Sequence, residues 1–160
     1  MQTQQLTQQV RSATRLETLE EARDYIQAID MSLPRRKLLK PRWGRPVPEQ
    51  VLDHAIGDYR RFLFLLRKYE GGALSPTLDI DLLWHEHILD TKPYFQDTAK
   101  IFGYYLHHEP GREPTGARTP DLEKSFRRTC ELYRQEFGQN LQTFFGQPAP
   151  SENEQGQAPG

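Results

Sequence analysis

Apolar residues recur along this chain at steps of three and four, the spacing that places them on one face of an α-helix. The widest stripe runs from Val51 to Tyr69, and narrower stripes precede and follow it. No stretch alternates apolar and polar residues for long enough to predict a strand. The pattern therefore predicts an all-α fold, a single-domain bundle of about five helices.

The N-terminal third combines one helix with a basic segment. The sequence from Thr14 to Glu17 has the Ser/Thr-x-x-Glu form of a capping box, and the apolar stripe after it predicts a helix ending near Met31. Residues 35–45 are rich in Lys and Arg around Trp43, and they predict a basic loop. Such a loop is typical of a solvated surface pinned by one tryptophan, or of a contact with an anion.

Two helices are predicted to form a central antiparallel hairpin. The run from Asp90 to Pro93 breaks one helix and starts the next, and so short a connection favours antiparallel packing. Pro110 is expected to end the second helix. Thr119 and Pro120 then open a last helix, which Gly138 closes.

Composition sets the limits of the domain and its compartment. The chain has 160 residues and a formal net charge of −1, so nucleic acid is an unlikely partner. Residues 1–12 predict a flexible arm, residues 13–146 one all-α domain, and residues 147–160 a disordered tail. A single cysteine, no signal-peptide pattern and no long apolar run predict a cytoplasmic protein without a membrane segment.

Histidines are concentrated in one place: four of the five lie between His85 and His108. Successive helical residues turn by about 100°, so His85 and His87 point in different directions. Asp81 and His85 are four residues apart and share a face. In an antiparallel hairpin, Asp97 lies opposite His85, while His107 and His108 lie near the start of the first hairpin helix.

Three interpretations of this arrangement stay open. Asp81, His85 and Asp97 can hold a divalent metal such as Zn, Fe or Mn. Alternatively, Asp97 orients His85 as a general base, so these two residues are the catalytic candidates. In the third interpretation the His and Asp side chains form only a buried hydrogen-bond network.

The sequence contains no motif that favours nucleotide binding or a zincin-type metalloprotease. The chain has no Gly-x-Gly-x-x-Gly or Walker motif, so no nucleotide cofactor is expected. The spacing of His85 and His87 differs from the His-Glu-x-x-His of zincins. A non-catalytic interaction module remains an alternative, with the basic segment or Phe144 and Phe145 meeting a protein partner.

Several motifs together resemble the glycine-rich domain-containing protein-like family, and in particular its short bacterial members. They are residues 59–63, 76–81, the Trp-His-Glu-His-Ile-Leu-Asp-Thr run of 84–91, Tyr94-x-x-Asp97, and 102–108, within a resemblance spanning about 47–137. The resemblance implies no established reaction. The resemblance to the short form implies a protein without the glycine-rich extension of longer eukaryotic relatives. The sequence departs from the family pattern at Thr98 and after His108.

The resemblance adds weight to a site with chemistry. The expected metal ligands are Asp81, His85 and Asp97, with His108 as a further candidate. Trp84, His87 and Tyr94 are expected to surround and support them. The sequence thus favours a small metal-binding helical protein, a metal-dependent hydrolase or oxidase acting on an unknown small-molecule substrate.

Overall fold

A computed structural model describes residues 15–41, 44–109 and 119–144, and these residues contain six helices and no strand. The all-α, single-domain bundle predicted from the apolar pattern is confirmed. In chain order the helices are α1 (Leu19–Ala28), α2 (Ser32–Leu39), α3 (Glu49–Lys68), α4 (Leu78–Leu89), α5 (Thr91–Phe102) and α6 (Pro120–Phe137).

Helix α1 begins four residues later than predicted. Thr18 caps it, accepting a hydrogen bond from the Glu21 backbone N–H, while the Glu21 carboxylate accepts from the Thr18 backbone. This second Ser/Thr-x-x-Glu sequence is the true capping box. Thr14 lies outside the described residues.

The basic segment is partly helical, which corrects the predicted loop over 35–45. Helix α2 carries Pro34 at its third residue, in the first turn, where a missing N–H costs nothing. Arg35 contacts Glu49 at 2.5 Å and Asp53 at 3.0 Å. Acidic residues of α3 therefore balance part of the positive charge of this segment. Trp43 lies outside the described residues.

The hydrophobic core forms around α3. Its second half is buried on more than one side, as the wide stripe predicts, with Phe62, Leu63, Phe64 and Leu65 all at most 4% exposed. Helices α1, α2, α4 and α6 all pack against α3. Its central position explains why this helix is the longest of the six and has the most buried residues.

Helix α5 ends at Phe102, because Gly103 adopts a left-handed conformation with φ of 79°. The expected stop at Pro110 was therefore wrong; a glycine C-cap ends the helix earlier. Residues 104–109 have no regular secondary structure. This break determines the path of the segment that carries His108.

The predicted start and end of the last helix are confirmed: Thr119 caps α6 and Gly138 closes it. Tyr133 donates a hydrogen bond of 2.5 Å to Asp58 of α3. The following segment folds back, and the Phe144 N–H donates to the buried Asp79 carboxylate at 2.9 Å. Phe145 lies outside the described residues.

Within the described residues, no helix has the length and apolarity needed to cross a bilayer. The arm over 1–12 and the tail over 147–160 fall outside these residues, so the predicted domain limits stay predictions.

Replacing Gly103 by alanine should destabilise the protein more than the same change at Gly138. Both glycines have positive φ, so each substitution introduces strain of roughly 1–2 kcal/mol. A Cβ on Gly103 would also lie 3.2 Å from the Arg15 Cβ, whereas one on Gly138 would meet nothing within 4 Å. Urea unfolding measures both. Equal losses would show that the Arg15 contact does not constrain the turn.

Candidate functional site

Three polar side chains meet at the outer surface of α4: Asp81, His85 and His108. Each offers a ligand atom, and these atoms all lie within 4.8 Å of one another. The Nε2 atom of His108 is 2.5 Å from Asp81 Oδ1, and His85 Nδ1 is 3.4 Å from Asp81 Oδ2. We call these three residues the Asp81 cluster.

Exposure differs across the Asp81 cluster. The side chain of His85 is 54% exposed, that of Asp81 is 28% exposed and that of His108 only 10%. The His85 and His108 rings stack with centroids 4.7 Å apart. Since imidazole nitrogens bind metals in the plane of the ring, His85 must turn for both rings to share one ion, and its exposure leaves it free to do so.

His108 reaches Asp81 because the chain turns at Gly103 and is then tied down. Trp84 Nε1 donates to the Tyr94 hydroxyl at 2.9 Å, and that hydroxyl donates to the backbone carbonyl of Leu106. The His108 ring stacks on Trp84 with centroids 4.2 Å apart and only 7° between planes. Trp84 and Tyr94 therefore position His108, and the prediction that His108 lies near the start of α4 agrees with the structure.

His87 belongs to a separate, buried network. Its side chain is 4% exposed, with Nε2 2.8 Å from Asp97 Oδ2 and Nδ1 2.7 Å from the Tyr59 hydroxyl. Tyr25 donates to the other Asp97 oxygen at 2.7 Å. These four residues, the His87 network, join α1, α3, α4 and α5.

Burial raises the pKa of the Tyr59 hydroxyl well above its usual value, and the charge of Asp97 adds to this. Burial likewise raises the pKa of Tyr25, with a further contribution from its hydrogen bond to Asp97. Both phenols therefore stay protonated. In the tautomer of His87 that carries its proton on Nε2, Tyr59 donates to Nδ1 and Nε2 donates to Asp97, so each member of the network has a partner.

The structure does not bring Asp97 to His85, which corrects the expected set of Asp81, His85 and Asp97. Both Asp97 oxygens are engaged by the His87 network. The contacts Trp84–Tyr94 and His87–Asp97 both have a sequence separation of ten. In an ideal antiparallel register the sum of the two residue numbers would stay constant instead. Counting residues back from the turn therefore assigned Asp97 to the wrong histidine.

This geometry also argues against the predicted catalytic pair of His85 and Asp97. Since Asp97 lies on His87, it does not orient His85 as a general base. Tyr25 and Tyr59 were missed, because nothing in their local sequence distinguishes them from residues of an apolar stripe. His54 is paired elsewhere, 3.1 Å from Asp58.

The Asp81 cluster opens into a cleft of about 590 Å³. His107 and Glu109 also line this cleft, and the remaining wall comes from Leu106, from α3, α4 and α6, and from the segment before α4. Its volume lies within the range of roughly 300–1,000 Å³ typical of small-molecule sites. The cluster is thus accessible to a ligand, whereas the His87 network is mostly buried, with the side chain of His87 4% exposed and that of Asp97 14% exposed.

The fold and this cluster define a class: a small all-α protein with an accessible His/Asp cluster above a buried hydrogen-bond network. The family model described as "Glycine-rich domain-containing protein-like" matches residues 5–97, more than half of the 160-residue chain. The chain belongs to that family. The match begins and ends earlier than the predicted span of 47–137, and it stops before His108.

Two curated relatives come from Arabidopsis thaliana. The chain is 31% identical to glycine-rich domain-containing protein 1 and 30% identical to glycine-rich domain-containing protein 2, each over 91 residues. Each match covers 54% of this chain and 11% of the relative, so the chain spans about a tenth of these plant proteins. They give no support to the expected bacterial form. No solved structure matches the chain.

Alanine substitutions should distinguish the two kinds of histidine. His87→Ala leaves Asp97 and the Tyr59 hydroxyl without their buried partner, so we expect a loss of about 2–4 kcal/mol in unfolding free energy. His85→Ala removes a largely exposed ring and should change stability by less than about 0.5 kcal/mol. Urea denaturation of both variants checks this. A stability loss at His85 as large as at His87 would contradict the assignment.

Proposed function

We propose that this protein binds one divalent metal ion at the Asp81 cluster. The observation that carries the proposal is the convergence of two imidazoles and one carboxylate, with ligand atoms within 4.8 Å of one another, at the edge of a cleft. Tetrahedral ligands at 2.0–2.1 Å from Zn lie about 3.3 Å from each other. Small side-chain movements, chiefly of exposed His85, therefore suffice to close the site.

The donor set limits the metal and the chemistry. Two histidines and one carboxylate suit Zn in hydrolytic sites and Fe in oxidative ones, and Mn also accepts such ligands. A divalent ion held by three protein ligands supplies a Lewis acid with room for water or substrate. Both a metal-dependent hydrolase and an oxidase fit this set, and the metal that the protein retains distinguishes them.

The surrounding residues support this role. His108 is held between Trp84 and His85, and Tyr94 anchors the segment that carries it. A ligand fixed in this way loses little conformational entropy on binding. In this proposal Trp84 and Tyr94 position a ligand, and the His87 network stiffens the helix from which Asp81 and His85 project.

A second candidate is a non-catalytic interaction module, in which the Asp81 cluster is only a structural hydrogen-bond network. The short contact of 2.5 Å between His108 and Asp81 favours it, since the pair is satisfied without an ion. The metal content of the purified protein, and the change in its melting temperature on adding metal, distinguish the two.

Metal binding is tested on protein purified without a histidine tag. We expect about one equivalent of Zn, Fe or Mn by elemental analysis, and a thermal stabilisation on adding the metal. That stabilisation corresponds to about 2.7 kcal/mol at a free metal concentration a hundred times Kd. His85→Ala should weaken binding by more than about 100-fold, since loss of a ligand exceeds the cost of losing an outer partner.

His107→Ala is the matched control. His107 lines the same cleft, is exposed and stands next to His108, yet it is outside the Asp81 cluster. The His107→Ala variant should bind metal as tightly as the wild type. Substoichiometric metal in the wild type with no shift in melting temperature, or equal losses in the two variants, would favour the structural alternative.

A further inference from the structure

A second groove lies beside the cleft, along α6. It has a volume of about 600 Å³ and is lined by Ala73, Asp121, Lys124, Ser125, Arg127, Arg128 and Glu131. Ala73 and Ser125 line both spaces, so the two lie side by side. We call the two together the trough; the Asp81 cluster lies in one part of it and the α6 cations in the other.

The part of the trough nearest the Asp81 cluster has an apolar wall. Its apolar side chains are half-buried or, like Leu78 at 40%, exposed, so they face the trough with part of their surface. They are Leu66, Leu74, Pro76, Leu78, Leu106 and Leu122. Covering apolar surface of this kind with a ligand stabilises the complex by about 25 cal/mol per Å².

The far part of the trough is cationic. Lys124, Arg127 and Arg128 outnumber Asp121 and Glu131 there, which leaves one positive charge in excess. Arg128 lies 3.7 Å from Glu131, but both side chains are more than half exposed. Exposed pairs of this kind are weak, so Arg128 can turn to a ligand at little cost.

The spacing along α6 relates the two parts. Leu122, Ser125 and Arg128 follow at three-residue steps, so each is a neighbour of the next on the helix surface, and Arg128 is turned by about 120° from Leu122. Six residues of helix rise about 9 Å between Leu122 and Arg128. An apolar group lying on Leu122 therefore reaches the cations with a short chain.

We propose that the trough binds a small organic anion with an apolar body. Its acid group lies at Lys124, Arg127 and Arg128, its body covers the apolar wall, and its other end points to the Asp81 cluster. Only the role of that other end rests on the metal site proposed above; the anion and its apolar body are recognised by the trough itself.

Binding is measured by NMR titration of the full chain, as purified and after treatment with a chelator. The probes are heptanoate, the uncharged heptanol and the cationic heptylamine. Heptanoate should bind in both preparations, with a Kd about two- to fivefold below that of heptanol. Shortening the acid should weaken binding about three- to fourfold for each methylene removed.

Two pairs of variants locate the ligand. Arg128→Gln should remove most of the preference for heptanoate over heptanol, whereas Arg134→Gln, on the same helix but outside the trough, should keep it. Leu122→Gln should weaken all three probes, whereas Leu89→Gln, 66% exposed and outside the trough, should have no effect.

Equal binding of heptanoate and heptanol, no dependence on chain length, or no binding by any probe would overturn the proposal. Heptanoate binding after chelation supports it whether or not the Asp81 cluster holds metal. Conversely, stoichiometric metal without heptanoate binding supports the metal site and refutes the ligand.

Discussion

The arrangement of helices depends on one buried contact, that between His87 and Asp97. The two side chains meet at 2.8 Å in the interior, and tyrosines from α1 and α3 occupy their remaining hydrogen-bonding positions. Burying either group without its partner would cost roughly 1–3 kcal/mol or more. Packings of α5 on α4 that separate the pair are therefore disfavoured. Once it forms, Tyr94 and Trp84 come together, and with them the segment that carries His108.

Much of the fold could be predicted, because local patterns determine it. The apolar stripe of α3, the Thr119 cap and the Gly138 end all follow from short-range chemistry. Where prediction failed, two local signals competed. Thr14 and Thr18 both start a Ser/Thr-x-x-Glu sequence, and Gly103 and Pro110 can both end a helix. Which of two such signals acts is decided by tertiary contacts, which local spacing does not contain.

Only part of the candidate site could be predicted from the sequence. Helical geometry correctly put Asp81 and His85 on one side and His87 on another, because these residues share one regular helix. Partners across two helices depend on the crossing angle, which residue counting does not supply. Asp97 was therefore assigned to His85 although it contacts His87. Tyr25 and Tyr59 come from helices distant in sequence, so no pattern near the histidines indicates them.

The family model ends at Asp97, so it includes the whole His87 network but not His108. One of the contacts that position His108 is made through the backbone: the Tyr94 hydroxyl donates to the main-chain oxygen of residue 106. Every amino acid supplies that oxygen. A different side chain at position 106 would therefore alter the cleft wall while this hydrogen bond, and with it the path of the chain to His108, stays in place.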